Sequence, residues 1–222
     1  MDFAHFATDT DQEFVSASVT ALEGLINEAI LKNDRCVLGL SGGSTPRPVY
    51  EVLGESTEID WSKVWIFLVD ERHVAEDADE SNTKLMKETF PSSQIIHPKK
   101  SPLNEWQSSY EKLMEDLLDG SWPDVVVLGM GEDGHIASLF PPVQEGSDSS
   151  LTVHTTTDKF AVHDRVSVTL PVLTKARSKI FLLKGDKKKT VWDEMFLSDE
   201  DAKRWPAKAV LESGEVTLIT QW

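Results

Sequence analysis

The segment Gly129-Met130-Gly131-Glu132-Asp133-Gly134-His135 sets an imidazole two residues after a carboxylate, among three glycines. An imidazole titrates near neutral pH and can draw a proton from water, and a neighbouring carboxylate orients the ring and favours its protonated form. His135 and Asp133 are therefore a candidate acid–base pair. A lone histidine is more often structural, and it is the glycines and the carboxylate that set this one apart. The same glycines spell Gly-x-Gly-x-x-Gly, a dinucleotide-binding pattern. Glu132 and Asp133 would stand where a pyrophosphate must sit, and Pro141-Pro142 ends any helix too early for a full crossover, so a catalytic loop is the better reading.

Three further segments carry unusual side chains. Ser41-Gly42-Gly43-Ser44-Thr45-Pro46 offers two glycines for close backbone approach and three hydroxyls, with Pro46 or Pro48 suited to a first helical turn. Exposed amides at such a helix start suit a phosphate, although a plain glycine turn accounts for the segment equally well. Gly39 to Gly43 also reads Gly-x-Ser-x-Gly, with Ser41 as a candidate nucleophile. An elbow of that kind normally follows several strands of its sheet, and only one helix and one strand precede this one, so the reading is set aside. Asp70-Glu71-Arg72-His73 and Gly185-Asp186-Lys187-Lys188 complete the set. Arg72 and Arg165 offer planar forks for a phosphate, yet Arg165 beside Asp164 fits a surface ion pair as well. One lysine of 187–189 is expected to face the ligand, although such a run is commonly a solvated helix start. His5, His73, His97, His154 and His163 show no ligand spacing and read as surface or structural residues. No metal and no cofactor are expected.

These segments need a frame. Short apolar runs at 36–40, 64–69, 125–128, 180–183 and 216–219 suit strands covered on both faces, which points to a parallel sheet. Helical spacing recurs between them, over 11–31 with a Thr10/Glu13 capping box, at Trp106 to Leu118 and at Val191 to Phe196. Alternating strands and helices predict a doubly wound α/β fold with helices on both faces, in which ligands bind beyond the carboxyl ends of the strands, where all four segments fall. Residues 144–158 read as a surface excursion, and Val166, Val168 and Leu170 alternate like a strand with one exposed face. Length alone allows one domain or two small ones; with no linker, repeat or low-complexity tail, a single domain over 1–222 is expected.

Composition narrows the partners. A net charge of -16 argues against nucleic acid and anionic membranes, so an anionic small molecule must meet a local cationic pocket. The opening MDFAHFATDTDQ has no basic n-region, and no later stretch approaches the length of a membrane-spanning helix; a cytoplasmic protein, monomeric or a weak homo-oligomer, is expected. Cys36, the only cysteine, lies in an apolar run and reads as a core residue.

Taken together, SGGSTPRPVYEVL, VDERHV with SNTKLMKETF, DVVVLGMGEDGHIASLFP, and RVSVTLPVL with GDKK resemble the 6-phosphogluconolactonases, in the family's order and across most of the chain. The resemblance implies a modified Rossmann-like sandwich shared with glucosamine-6-phosphate deaminases and ribose-5-phosphate isomerases. It also implies hydrolysis of 6-phospho-D-glucono-1,5-lactone to 6-phosphogluconate, the second step of the oxidative pentose phosphate pathway. The implied catalytic residues are His135, Asp133 and Arg72. The implied substrate contacts are Ser41, Gly42, Gly43, Ser44 and Thr45, together with Asp70, Gly131, Arg165 and Lys188. Lys188 is chosen by its place three after Gly185, since lactonases commonly have Lys followed by Ala or Arg and this chain has Lys188-Lys189. The competing deaminases continue the His motif with Phe-Asn-Glu-Pro, where this chain has Ser138-Leu139-Phe140-Pro141. A non-catalytic phosphosugar-binding module is the remaining alternative, and intact Asp133, His135 and Arg72 speak against it.

Overall fold

Aliphatic runs bounded by turn residues become the inner strands of a parallel sheet, and shorter, more polar segments become its edges. The computed structural model describes residues 3–143 and 150–222. The large sheet is built from β1 (Ala4–Ala7), β2 (Cys36–Leu40), β3 (Val64–Leu68), β5 (Gln94–Ile96), β6 (Val125–Leu128), β9 (Ser178–Lys184) and β10 (Glu215–Gln221). Its order is β1-β10-β9-β6-β2-β3-β5, with every neighbouring pair parallel. A second sheet joins β4 (Asp70–Arg72), β8 (Asp164–Val168) and β7 (Thr152–Thr156) in antiparallel order.

The side-chain alternation of the strands divides the core in two. Leu38, Leu40, Val125 and Val127 face a cluster with Phe14, Leu22 and Ile26 of α1 (Asp11–Asn33), Val49 and Tyr50 of α2 (Arg47–Gly54), and Leu85 and Met86 of α3 (Asn82–Thr89). Val37, Val126 and Leu128 face the other cluster, with Trp106 and Tyr110 of α4 (Leu103–Leu118), Leu173 of α5 (Leu170–Lys175), Trp192 of α6 (Asp186–Leu197) and Val210 of α7 (Pro206–Leu211). Helices thus cover both faces of a mostly parallel sheet, the architecture the patterning predicts.

Several elements differ from the sequence reading. By length and composition α1 is long and apolar enough to cross a membrane, contrary to the expectation that no stretch is. Here its stripe Phe14, Ser18, Leu22, Ile26 and Ala29 is buried, and the Thr10/Glu13 capping box opens it. Asp70–Arg72 forms a strand rather than a loop, because its buried carboxylates find hydrogen-bond partners inside the fold. Within the supposed excursion 144–158, residues 144–149 lie outside the described residues, and Thr152–Thr156 is a strand whose polar side chains alternate outward along the edge of the small sheet. β8 has no exposed face over Arg165–Val168, since the face carrying Arg165 and Ser167 lies beneath other structure.

Val69 joins the two sheets. Its N–H donates to Leu40 O at 3.1 Å in the large sheet, and its carbonyl accepts from Val168 N at 2.8 Å in the small one. The residue is fully buried.

Candidate active site

The loops leaving β2 and β6, the end of β9 and the start of α6, and the inner face of β4 and β8 enclose a cleft of about 580 Å³. It sits at the carboxyl edge of the parallel strands, where a doubly wound fold exposes its loop amides and side chains.

The loop after β6 is folded around its histidine. Gly131 N donates to His135 O at 2.8 Å and Gly134 N to Gly131 O at 3.1 Å, closing a tight turn. A Cβ at Gly131 would lie 2.0 Å from His135 Nδ1, and Gly134 has φ 86°, so both positions require glycine. Asp133 Oδ1 meets His135 Nδ1 at 2.5 Å and accepts from His135 N at 3.2 Å. This bond, aided by Lys159 Nζ on Oδ2 at 2.6 Å, holds the Asp133 carboxyl far below the usual carboxylate range against the opposing effect of burial. With Nδ1 engaged, Nε2 is the ring nitrogen left for a ligand in the cleft. No helix follows His135; Ile136 and Leu139 close a bridge instead, so the glycine pattern lacks the helix start that would receive a pyrophosphate. Ala137, in the cleft wall, sits at φ 48°, a left-handed conformation costly for a residue with a Cβ.

Opposite the histidine, the small sheet supplies cations. Arg72 and Arg165 are directly paired across β4 and β8, so two guanidinium side chains project from one face. Arg165 is buried and its Nε has no hydrogen-bond partner; Arg72 Nε is likewise buried and unpaired. Burial chiefly, and then Arg72, lower the Arg165 pKa, while Asp70 and Glu71 act the other way. Of the two readings of Arg165, the surface pair with Asp164 is not the one seen: Asp164 bonds His154 at 3.0 Å, and Arg165 lies over the rings of Phe160 and Phe140 at 5.1 and 5.8 Å. Two adjacent cations with unused donors make a receptor for an anion.

Asp70 faces the same cleft, with Oδ2 accepting from Ser138 Oγ at 2.6 Å and its carbonyl from Asn82 Nδ2 at 2.8 Å. Of the three lysines, Lys188 lines the cleft and donates to Met130 O, and burial pushes its pKa down. Lys187 pairs with Glu132 and Lys189 with Asp193, both well exposed. Ser41 directly follows β2 with a buried Oγ that has no partner, so no base is paired with it as a nucleophile would require. Gly42 through Thr45 lead past it to α2, with Gly43 at φ 110°. None of His5, His73, His97, His154 and His163 lines the cleft.

The family profile described as "Glucosamine-6-phosphate isomerases/6-phosphogluconolactonase" matches residues 9–219. The chain belongs to that family. A protein of Dictyostelium discoideum named "Probable 6-phosphogluconolactonase" is 38% identical, over 97% of this chain and 96% of its own. A 6-phosphogluconolactonase of Synechocystis sp. is 29% identical over 94% of this chain and 91% of its own. The crystal structure of a 6-phosphogluconolactonase from Shewanella baltica superposes with a TM-score of 0.87 at 28% identity, covering 100% of this chain and 98% of the other.

Within this family fold, residues that the sequence reading passed over help build the site. Asn82 Oδ1 accepts from Arg72 Nη1 at 3.0 Å, and a Cβ on Gly42 would collide with the Asn82 amide, so Asn82 packs the Gly42 loop against the arginine. Glu71 holds Asn82 in turn, accepting from the N–H groups of Asn82 and Thr83 at 3.0 and 2.7 Å at the start of α3. In the sequence Asn82 stands within SNTKLMKETF, a segment that carries the family resemblance but assigns Asn82 no role. Lys159 and Phe160, at the tip of the β7–β8 hairpin, reach the cleft from a segment with no motif. Arg204 donates to Asp133 O at 2.9 Å from the loop before α7.

Proposed function

We propose that this chain is a 6-phosphogluconolactonase that hydrolyses 6-phospho-D-glucono-1,5-lactone to 6-phospho-D-gluconate, with His135 activating the water. The observation that carries the reading is the 2.5 Å Asp133–His135 contact in the same cleft as the Arg72–Arg165 pair. Membership of the family, and relatives named for that activity, support the substrate.

In this mechanism His135 Nε2 takes a proton from water as the oxygen adds to the lactone carbonyl, and Asp133 steadies the imidazolium through Nδ1. The tetrahedral intermediate collapses by breaking the bond from the carbonyl carbon to the ring oxygen, which receives the proton back from Nε2. The new carboxylic acid then ionises. General base action of this kind is worth about 10²–10⁴-fold. Arg72 and nearby amides stabilise the developing oxyanion or the phosphate, and Arg165, Lys188 and Ser41 to Thr45 grip the phosphate. Asp70 and Gly131 shape the wall between these groups. The deaminase reaction is disfavoured, because Ser138-Leu139-Phe140-Pro141 places no carboxylate where that motif has its glutamate. The proposal includes a single catalytic domain over residues 1–222, working in the cytoplasm on a small-molecule substrate as a monomer or weak homo-oligomer.

The test is the disappearance of lactone generated in situ, with spontaneous hydrolysis subtracted, for the wild type and His135→Asn. Strong acceleration, lost in the variant, supports both substrate and base. A variant with full activity removes His135 from the mechanism, and a folded wild type without acceleration removes the substrate.

A further inference from the structure

The Asp133 carboxylate has two oxygens with two different partners. Oδ1 serves His135, and Oδ2 receives Lys159 Nζ at 2.6 Å from the opposite wall of the cleft. Lys159 belongs to the turn between β7 and β8, which Thr157 N closes on His163 O at 3.2 Å. Its neighbour Phe160 anchors that tip, with its ring 5.8 Å from His135, 6.1 Å from Phe140 and under the Arg165 guanidinium. A hairpin from the small sheet is thereby pinned across the catalytic carboxylate of the large one. Lys159 is 60% exposed while Asp133 is 21% exposed, so the ammonium caps the carboxylate from the solvent side. The Asp133–Lys159 pair is also the wall shared by the catalytic cleft and a neighbouring cavity of about 720 Å³.

We propose that Lys159 is a positioning residue for the lactonase reaction, which neutralises the far oxygen of Asp133 and so weakens the hold of that carboxylate on a protonated His135 ring. The proposal rests on the reading of His135 as general base. A carboxylate at 2.5 Å favours the imidazolium form of the ring it touches. A cation on the second oxygen removes part of that attraction and adds direct like-charge repulsion, and both effects lower the affinity of the ring for its proton.

The other charges near the dyad come from several elements. Glu132 lies on the same loop, Arg72 and Asp70 on β4, Arg165 on β8 beyond the two phenylalanine rings and Lys188 on α6, while Asp199, Glu200, Asp201, Lys203 and Arg204, on the segment before α7, line the cavity that Asp133 and Lys159 wall. The Asp133 carboxylate itself bonds His135 through Oδ1 and Lys159 through Oδ2.

The experiment is an NMR titration of the His135 ring in the ligand-free protein, for the wild type, Lys159→Met, Lys159→Gln and Lys159→Arg. It is paired with the pH profile of kcat/KM on the lactone. Losing the charge should raise the His135 pKa by about half to one unit. The acidic limb of kcat/KM should move up by the same amount, with the alkaline plateau retained, and Lys159→Arg should restore both. A ring pKa that stays put or falls in Lys159→Met and Lys159→Gln overturns the proposal, since a side chain that merely pins the loop would release Asp133 from the ring. So does an arginine variant that behaves like methionine. The ring titration does not depend on turnover, so a protein without lactonase activity would refute the substrate and still report on Lys159.

Discussion

Arg165→Met should make the empty protein more stable and the occupied protein less so. The guanidinium is buried, faces Arg72 across the ladder and leaves Nε without a partner. A buried unsatisfied donor costs about 1–3 kcal/mol, and the like charge adds to that cost. Against it stand two ring contacts, at 5.1 and 5.8 Å, worth about 0.5–1 kcal/mol each. Methionine recovers part of that through its thioether, about 0.3–1.5 kcal/mol against an aromatic ring. The charged form is disfavoured on balance, as the lowered Arg165 pKa indicates, so its removal should gain about 1 kcal/mol. For a chain of this size that raises Tm by about 2–4 °C. A phosphorylated ligand at a hundred times its Kd should stabilise the wild type by about 2.7 kcal/mol. Losing a charge-assisted bond weakens binding about 10–10²-fold, which cuts the variant's gain at that concentration to about 0.4–1.4 kcal/mol. The two melting curves should therefore change places when 6-phosphogluconate is added, as scanning calorimetry would read directly. A variant that melts below the wild type without ligand, and gains as much from ligand, would refute the reasoning.

Three other outcomes follow from the site. Asp133→Asn should cost about 1–2 kcal/mol at pH 7. Because the folded carboxyl lies below its ordinary value, its contribution is present above about pH 4 and is lost as pH falls further, so urea midpoints of variant and wild type should converge on acidification. Gly131→Ala puts a methyl 2.0 Å from His135 Nδ1 and 2.9 Å from Asp133 Oδ1; the ring must turn, and kcat should fall about 10²-fold or more, as expected for a displaced general base, while circular dichroism stays native. Lys188→Ala should raise KM about 10–10²-fold with little change in kcat, and initial-rate kinetics showing an unchanged KM would take Lys188 out of the phosphate grip.

The legible parts of this fold are those where burial alone decides. CVLGL and VVVL are covered on both faces and read as strands from their composition. TVHTT was hidden because an edge strand with polar side chains turned outward has the composition of a loop. Asp-Glu-Arg was hidden because its strand is held by side-chain hydrogen bonds rather than apolar packing. The site divides in the same way. His135 and Asp133 sit among glycines and Arg72 follows a strand, whereas Lys188 is singled out of 187–189 only by the family resemblance. Lys159 and Phe160 meet the cleft, and Asn82 meets Arg72, through contacts between separate segments of the chain, which no local spacing reveals.

Val69, which lies between β3 and β4 and bonds to both sheets through its own N–H and carbonyl, makes the cleft a ruler. In the proposed mechanism His135 hangs from the large sheet and the paired arginines from the small one, and Val69 ties the two sheets together with two backbone hydrogen bonds inside the core. A substrate is then measured by the span from its carbonyl to its phosphate. A lactone with one carbon fewer or more along that span brings its phosphate to the arginines out of register by roughly 1.5 Å. Selection by reach requires no contact with the sugar hydroxyls, and it would soften if Val69 were replaced by glycine, which would let the two halves drift apart.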